Sequence, residues 1–355
     1  MARKKHKDGG SSSGEGAAAV APEGALLAAS STGEAERDVD RSLRPQSFDD
    51  YIGQRKVLGT VSVYVKAAKL RGQALDHVLL GGPPGLGKTS LAHVIAHELG
   101  ARLFVAHGPA VEHRGVLASL LIQLGEGDVL FVDEIHRLPA AVEECLYPAM
   151  EDFRLEVAVG DVAQSIRLPR FTLIAATTRT GMLSAPLRDR FGIHERLDLY
   201  APEDLAAIAR RSARLLGIPI TDEGALELGA RARGTPRIVN RLLRRVRDLA
   251  AVEGVANVDR AFADQALKWL GVDARGLDEM CRRILRTMIE TYDGRPVGLE
   301  TVAATIGEDA GTVEDVYEPY LVQQGLIGRT PRGRIALRMA YEHMGKPWRG
   351  QKDLF

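Results

Sequence analysis

The order of apolar and polar residues divides the chain into parts of different character. Short apolar runs alternate with stretches of helical periodicity in the first of these parts. The runs that predict strands are 77–80, 103–105, 129–132 and 171–174. Apolar runs of this length between helices are typical of a parallel sheet that is buried on both faces. We therefore predict an α/β domain over residues 41–198.

The pattern becomes purely helical over residues 199–272, which predicts a small helical domain. Pro202, with two acids after it, suits the first turn of a helix, and Gly217 suits its end. Thr235 and Pro236 start another helix. Its apolar positions fall on one face, at Ile238, Leu242, Val246 and Leu249.

A third module is predicted at residues 273–345. Its helical patterns cover 277–292, 299–306 and 311–324. Two short apolar arms, 326–330 and 334–337, then flank a turn at 331–333. Three helices followed by a hairpin are the parts of a winged helix, a variant of the helix-turn-helix motif.

Composition narrows the protein class. Residues 1–40 are rich in Gly, Ser, Ala and Glu and predict a disordered extension, and 346–355 form a short tail. The 355 residues carry 47 basic and 47 acidic side chains, which argues against a wholly basic nucleic-acid coat protein. No apolar run approaches the ~20 residues of a transmembrane helix, and no signal-peptide core follows the basic start. Cys145 and Cys281 form no metal-ligand cluster. Because the sequence shows neither a transmembrane run nor a signal-peptide core, we expect a cytoplasmic protein without a membrane partner.

The strongest chemical signal is the segment 82–89, a full G-x-x-x-x-G-K-[ST] match between a strand and a helix. Its glycines let backbone N–H groups turn towards phosphate oxygens, and the helix N-terminus adds a favourable dipole. Lys88 would neutralise phosphate charge, and Thr89 would ligate Mg²⁺. The predicted ATP-binding set is Gly85, Gly87, Lys88, Thr89 and Ser90.

An acidic pair follows the strand 129–132. Asp133 lies where α/β sheets bind their ligands and is suited to hold Mg²⁺. Glu134 is then left to polarise a water for attack on the γ-phosphate. The pair favours hydrolysis over nucleotide binding alone, whereas the neighbouring His136 is interpreted as structural.

Three more residues are candidates for the same site. Thr178 ends a strand, where its hydroxyl either senses the γ-phosphate or only caps the strand. Arg237 follows a proline at a helix start, where a cation opposes the dipole, so a nearby anion would explain it. Arg190 is either a surface residue or an arginine finger, which raises rates by ~10³–10⁵ in other enzymes.

In their joint order these segments resemble the RuvB family of AAA+ ATPases, from Leu43 to Arg338. Walker motifs alone fit many proteins, but this order is specific. The matching segments are 43–45, 51–54, 66–72, 76–89, 133–138, 146–152, 177–179, 186–192, 234–237 and 329–334.

The resemblance implies roles that the residues alone do not establish. Thr178 would be sensor 1, Arg190 a finger that acts on the neighbouring subunit, and Arg237 sensor 2. Further nucleotide contacts would come from Leu43, Arg44 and Tyr200 within the subunit, and from Glu151, Asp152 and Phe153 across the ring interface.

The implied activity is an ATP- and Mg²⁺-dependent motor that forms a hexameric ring on duplex DNA and migrates Holliday junctions. Its implied partners are RuvA and RuvC. Two other functions stay open from the residues: a clamp or helicase loader, and a nucleotide-switched DNA-binding protein with little hydrolysis. The acidic pair and Arg190 speak against the second.

The segment 153–170 predicts a hairpin, with alternating apolar residues from Phe153 to Val159. In the family this hairpin docks on RuvA. The returning arm, 162–170, is a few residues shorter here than is usual in the family.

The predicted winged helix is acidic in its third helix and basic in its wing. The helix carries Glu314, Asp315 and Glu318 but no Lys or Arg, whereas residues 329–352 contain seven basic side chains and one acid. Phosphates would repel the helix and attract the wing. We therefore predict that Arg329 and Arg334 contact the DNA backbone without reading sequence.

Overall fold

The computed structural model describes residues 41–159 and 162–348 of the chain. The predicted extension, 1–40, and most of the predicted tail, 346–355, lie outside the described residues. None of the helices in the described part is long and apolar enough to cross a bilayer.

A five-stranded parallel sheet forms the centre of the α/β part. Its strands are β1 Val78–Gly81, β2 Leu103–His107, β3 Val129–Asp133, β6 Thr172–Thr177 and β7 Ile193–Arg196. They lie in the order β2-β3-β6-β1-β7. The helices around it are α1 Arg55–Arg71, α2 Lys88–Leu99, α3 Arg114–Ile122, α4 Ala140–Glu151 and the short α5 Ala185–Arg188. Separate apolar clusters cover the two faces of the sheet, as the continuous apolar runs predict. The four predicted strands are confirmed, and β7 was missed.

An antiparallel hairpin, β4 Arg154–Val159 and β5 Val162–Arg167, extends from the end of α4. The hairpin prediction is confirmed, and the strand begins one residue later than predicted. Phe153 has a left-handed backbone (φ 53°) and precedes the strand, but its carbonyl accepts from the backbone N–H of Leu168 at 2.7 Å. Its side chain packs in the same apolar cluster as Leu155. Its ring packs on Phe171 at the base of the hairpin, where the centroids are 5.9 Å apart.

The helical part that follows has four helices: α6 Pro202–Leu216, α7 Asp222–Ala230, α8 Pro236–Glu253 and α9 Arg260–Trp269. Pro202 starts α6, and Gly217 ends it in a left-handed conformation (φ 66°). Apolar residues of this part join the cluster on one face of the sheet. The helical part therefore packs against the α/β part through the apolar cluster on that face of the sheet.

The last part is a winged helix with its own core. The helix α10 runs from Glu279 to Arg286 and continues as a π-helical turn, and α11 spans Leu299–Ile306. The helix α12 has three consecutive segments, Ala310–Thr312, the π-helical Val313–Tyr317, and Glu318–Gln323. The wing is β8 Ile327–Thr330 and β9 Gly333–Ala336, followed by α13 Arg338–His343. The predicted helices and hairpin are confirmed.

A buried arginine joins the helical part to the winged helix. Arg233, which has φ 51°, lies 3.1 Å from Asp278 and donates to the Cys281 sulfur at 3.2 Å. Burial raises the pKa of Cys281 to about 12, so the thiol stays protonated. Arg233 therefore fixes the loop before α8 on the start of α10.

Candidate active site

A cavity of about 740 Å³ lies between the α/β part and the helical part. Its volume falls in the range of small-molecule and cofactor sites. Twelve of the predicted site residues line it: Leu43, Arg44, Gly85, Gly87, Lys88, Thr89, Ser90, Asp133, Glu134, Thr178, Tyr200 and Arg237. These residues come from six separate stretches of the sequence and meet at one space.

The phosphate loop joins β1 to α2 and needs glycine for a steric reason. Gly87 has φ 98°, and a Cβ atom there would lie 2.6 Å from the Tyr51 hydroxyl. That hydroxyl donates to the Gly87 carbonyl at 3.2 Å, and Tyr200 donates to the Leu86 carbonyl at 3.2 Å. Two tyrosines thereby hold the loop from the side of the cavity.

Lys88, the first residue of α2, is 7% exposed. Its ammonium donates to the carbonyls of Gly82 and Pro83, at 2.7 and 2.8 Å. Burial lowers the pKa of Lys88 to about 8, against the charges of Asp133 and Glu134, which raise it. The site therefore holds a cation that a phosphate would stabilise.

The acidic pair lies at the end of β3. The Thr89 hydroxyl donates to the Asp133 carboxylate at 3.4 Å, so a hydroxyl and a carboxylate oxygen share one corner of the cavity. Glu134 has a left-handed backbone (φ 52°), which turns the chain out of the strand. Its carboxylate lies 3.3 Å from Arg137.

A hydrogen bond links the acidic pair to the end of β6. The buried Thr177 hydroxyl lies 3.0 Å from Nδ1 of His136 and accepts from the backbone N–H of Arg179 at 3.0 Å. This contact agrees with a structural role for His136. Thr178, between the two, faces the cavity.

The helical part supplies polar groups opposite the phosphate loop. Arg237 starts α8 on the cavity wall, together with Asn240 and Arg211. Arg211 donates to the Leu43 carbonyl at 2.7 Å and holds the N-terminal segment over the cavity. Sequence reasoning missed both. Asn240 follows Arg237 by three residues, which puts it on the same helix face, whereas Arg211 has no local signal.

Four predicted nucleotide contacts, Glu151, Asp152, Phe153 and Arg190, are not among the described residues that line the cavity. Arg190 forms an ion pair with Glu151 at 3.1 Å, and its guanidinium carbon lies 4.3 Å from the ring centroid of Tyr147. Its side chain is only 20% exposed, whereas Glu151 is 55% exposed. The half-buried Arg190 and the exposed Glu151 thus pair outside the subunit's own cavity.

Carboxylates of α12 bind both predicted DNA-binding arginines. Arg329 and Arg334 donate to Glu318, at 2.7 and 3.1 Å, and the Glu318 side chain is 2% exposed. Glu314 lies a further 3.5 Å from Arg334. The helix that was expected only to repel DNA thus partly neutralises the wing. This pairing was missed because Glu318 is 11 and 16 residues from the two arginines, and only the packing of α12 on the wing brings them together.

The three parts of the chain match three family profiles. Residues 43–197 match the profile described as the Holliday junction DNA helicase RuvB P-loop domain. Residues 200–273 match the RuvB AAA lid domain, and 274–345 match the RuvB C-terminal winged helix domain.

Similar proteins cover nearly the same length. The chain is 57% identical over 324 residues to the Holliday junction branch migration complex subunit RuvB of Anaeromyxobacter dehalogenans, covering 90% of this chain and 95% of that protein. The Myxococcus xanthus protein of the same name is 57% identical over 312 residues, covering 87% and 91%. A solved structure, the RuvB Holliday junction branch migration motor of Thermotoga maritima, is 48% identical with a TM-score of 0.81, covering 86% of this chain and 99% of that chain.

Proposed function

The chain belongs to the RuvB family of Holliday junction branch-migration ATPases, and on that basis we propose what each functional residue does. The protein is an ATP-dependent motor subunit of branch migration, active in DNA recombination and repair. The observation that carries this function is the cavity in which the phosphate loop, the acidic pair and a lid arginine converge.

Hydrolysis uses groups of one subunit for binding and activation. Lys88 and the backbone N–H groups of the loop bind the β- and γ-phosphates of ATP. Glu134 orients and deprotonates the attacking water, and Thr178 senses the γ-phosphate beside it. Arg237 contacts the phosphates from the lid, so that the presence of the γ-phosphate changes the lid position.

Mg²⁺ fits one corner of the cavity. The Thr89 hydroxyl and the Asp133 carboxylate are the hard oxygen donors that this cation prefers, and their oxygens lie 3.4 Å apart. These residues would hold the ion together with phosphate oxygens. Bound there, it would neutralise charge on the transferred phosphoryl group.

The catalytic arginine comes from the next subunit of a hexameric ring. Arg190 pairs with the exposed Glu151 outside the cavity of their own subunit, which supports a role at a neighbour's nucleotide. Asp152, also exposed, would join this contact. Phe153 packs within its own subunit and would act there by supporting its neighbours in sequence.

The wing holds the backbone of duplex DNA through Arg329 and Arg334. Arg329 is 55% exposed and can reach a phosphate while its stem stays near Glu318. Arg332, at the exposed tip of the wing, was not predicted as a contact and is added here. Contacts of this kind give sequence-independent, salt-sensitive binding, as a translocating motor requires.

The hairpin β4–β5 docks on RuvA, and RuvC acts on the same junction in the cytoplasm. Ile166 supports the docking surface, because it is an exposed apolar side chain on the returning strand (36% exposed).

The test is ATP-dependent dissociation of a synthetic four-way junction, with and without a RuvA partner. We expect dissociation by the wild type, and strong stimulation by RuvA. Glu134→Gln should bind ATP but fail to release phosphate or dissociate the junction. A wild type that binds the junction and ATP but never dissociates it would contradict the motor function. It would favour a nucleotide-switched binding protein instead.

A further inference from the structure

An ion-pair cluster joins the winged helix directly to the nucleotide-binding part. Arg179, which follows Thr178, donates Nε to both carboxylate oxygens of Asp315 at 3.2 Å and Nη2 to one of them at 3.0 Å. Its Nη2 also lies 3.2 Å from Glu314. All three side chains are 30–34% exposed, so water screens this cluster less than a surface pair.

The nucleotide end of this cluster is held firmly. The backbone N–H of Arg179 donates to Thr177, whose hydroxyl contacts His136, two residues after Glu134. Thr178 lies between these anchored residues and faces the cavity. A pull on the Arg179 side chain therefore acts on the backbone that carries Thr178.

The DNA end of the cluster is shared with the wing. Glu314 has one oxygen near Arg179 and the other 3.5 Å from Arg334. A phosphate that attracts Arg334 leaves Glu314 to pair with Arg179 alone. DNA binding at the wing thereby strengthens the attraction of Glu314 for Arg179, which follows Thr178 in the same loop.

We propose that Asp315 and Glu314 are positioning residues for ATP hydrolysis: acting through Arg179, they set the Thr178 loop according to whether the wing holds DNA. This inference rests on the proposed function, because it assigns Thr178 to the nucleotide and the wing to DNA. It adds a route within one subunit to the contacts between subunits. Asp315 is also close enough for its charge to raise the pKa of Lys88, so its field reaches the phosphate site.

The experiment compares ATP hydrolysis with and without duplex DNA in the full-length protein. Asp315→Asn combined with Glu314→Gln keeps the side-chain shapes but removes both charges. We expect about a fivefold or greater loss of DNA stimulation, a value typical of allosteric coupling. The loss should fall on kcat in the presence of DNA. At pH 7, below the pKa of Lys88, the KM for ATP should change little.

Two further variants separate coupling from simple structural support. Glu300→Gln removes an exposed carboxylate of the same domain and should keep wild-type stimulation. Arg179→Asp combined with Asp315→Arg reverses the pair and should recover part of the stimulation that either single change loses. No recovery would contradict the proposal.

The outcomes also distinguish this proposal from the proposed function. If the wild type dissociates junctions and the double variant is stimulated by DNA as strongly as the wild type, the link is refuted and the motor remains. If DNA does not stimulate hydrolysis in the wild type, and no junction is dissociated, the motor function fails and the link fails with it.

Discussion

At the scale of single residues, the protonation of Lys88 determines how the charge of the phosphate loop changes with pH. Its ammonium is bound by the loop's own carbonyls and is nearly inaccessible. The pKa of Lys88 is lowered to about 8, whereas burial raises the pKa of Tyr200 to about 12 and that of Tyr51 well above its usual value. Lys88 is thus the cavity group whose charge changes in mildly alkaline solution.

We predict that ATP binding weakens as the pH rises through about 8. Below this pH, Lys88 is charged before the nucleotide arrives; above it, binding must take up a proton. The Kd for ATP should therefore rise by up to about tenfold per pH unit between pH 8.5 and 10. Isothermal titration at several pH values, in buffers of different ionisation enthalpy, measures both the Kd and the proton uptake.

The matched variant is Lys88→Arg, whose guanidinium keeps its charge throughout this range. Its Kd can be weaker overall but should stay flat with pH. If the Kd of the wild type is equally independent of pH, Lys88 remains charged up to pH 10 and the prediction is wrong.

Sequence motifs and the family resemblance located twelve of the residues that line the cavity but few of the side chains that support them. Lys88, Asp133 and Glu134 were predictable because their chemistry needs those residue types at fixed positions after strands. Arg211 was not, because a surface arginine on an amphipathic helix carries no sign that it binds a distant backbone carbonyl. The stacking of Arg190 on Tyr147 was equally hidden, because it depends on how a loop packs on α4.

At the scale of elements, α12 and the wing work as a pair. The buried Glu318 gives two arginines of the wing a common partner, and Glu314 contacts one of them. A carboxylate with this degree of burial is stable only when it is paired, so Glu318 keeps both arginines close to the core. The wing is therefore less positive than its sequence suggests.

We predict that Glu318→Gln strengthens DNA binding. The substitution keeps the side-chain shape and frees the charge of Arg329 and Arg334. The Kd for duplex DNA should fall by about three- to tenfold at low salt, with a steeper salt dependence. Fluorescence anisotropy over a series of salt concentrations, on two unrelated sequences, measures both.

Glu342→Gln on α13 is the control, since it changes the net charge equally but removes only an exposed pair with Arg338. Equal tightening in both variants would show that net charge, and not the buried carboxylate, governs binding. Thermal unfolding of each variant checks that the winged helix remains folded.

Elements with a strong apolar period were predictable, and those without one were not. The edge strand β7 was missed because three of its four residues, His194, Glu195 and Arg196, are polar. The helix α1 was missed although Val57, Val61 and Val65 lie on one face, because β-branched residues weaken the helical signal. The π-helical turn within α12 could not be predicted, because it does not change the pattern of apolar residues in the sequence.

At the scale of the whole molecule, the function that we propose leaves each subunit with an incomplete catalytic set. The residues proposed to bind ATP and to activate water converge within one cavity, whereas Arg190 lies outside the cavity and pairs with Glu151. Because an arginine finger contributes a large part of the rate, an isolated subunit should be nearly inactive.

We predict complementation between two inactive variants. Arg190→Ala supplies intact nucleotide sites without a finger, and Lys88→Ala supplies fingers without working sites. Mixed rings contain some subunit interfaces at which one subunit supplies an intact Lys88 and its neighbour supplies an intact Arg190. Phosphate release should therefore reappear on mixing and should peak at intermediate ratios.

The control is a mixture of the Lys88→Ala variant with a double variant that carries both Lys88→Ala and Arg190→Ala. No subunit of this mixture has an intact nucleotide site, so phosphate release should not reappear. Full hydrolysis by dilute, monomeric wild-type protein would contradict the assignment of Arg190 to a neighbouring site. Sedimentation at the assay concentration establishes which species is present.

The buried Glu318 has a consequence for timing as well as strength. A translocating subunit must let go of each phosphate as often as it takes hold. When Arg329 and Arg334 leave a phosphate, they can pair with the buried Glu318 carboxylate instead, so they lose little interaction energy. The free-energy barrier to dissociation from the phosphate is therefore low. In the function that we propose, each wing therefore stays on a phosphate only briefly, and the time for which the ring stays on DNA depends on how many subunits bind it at once.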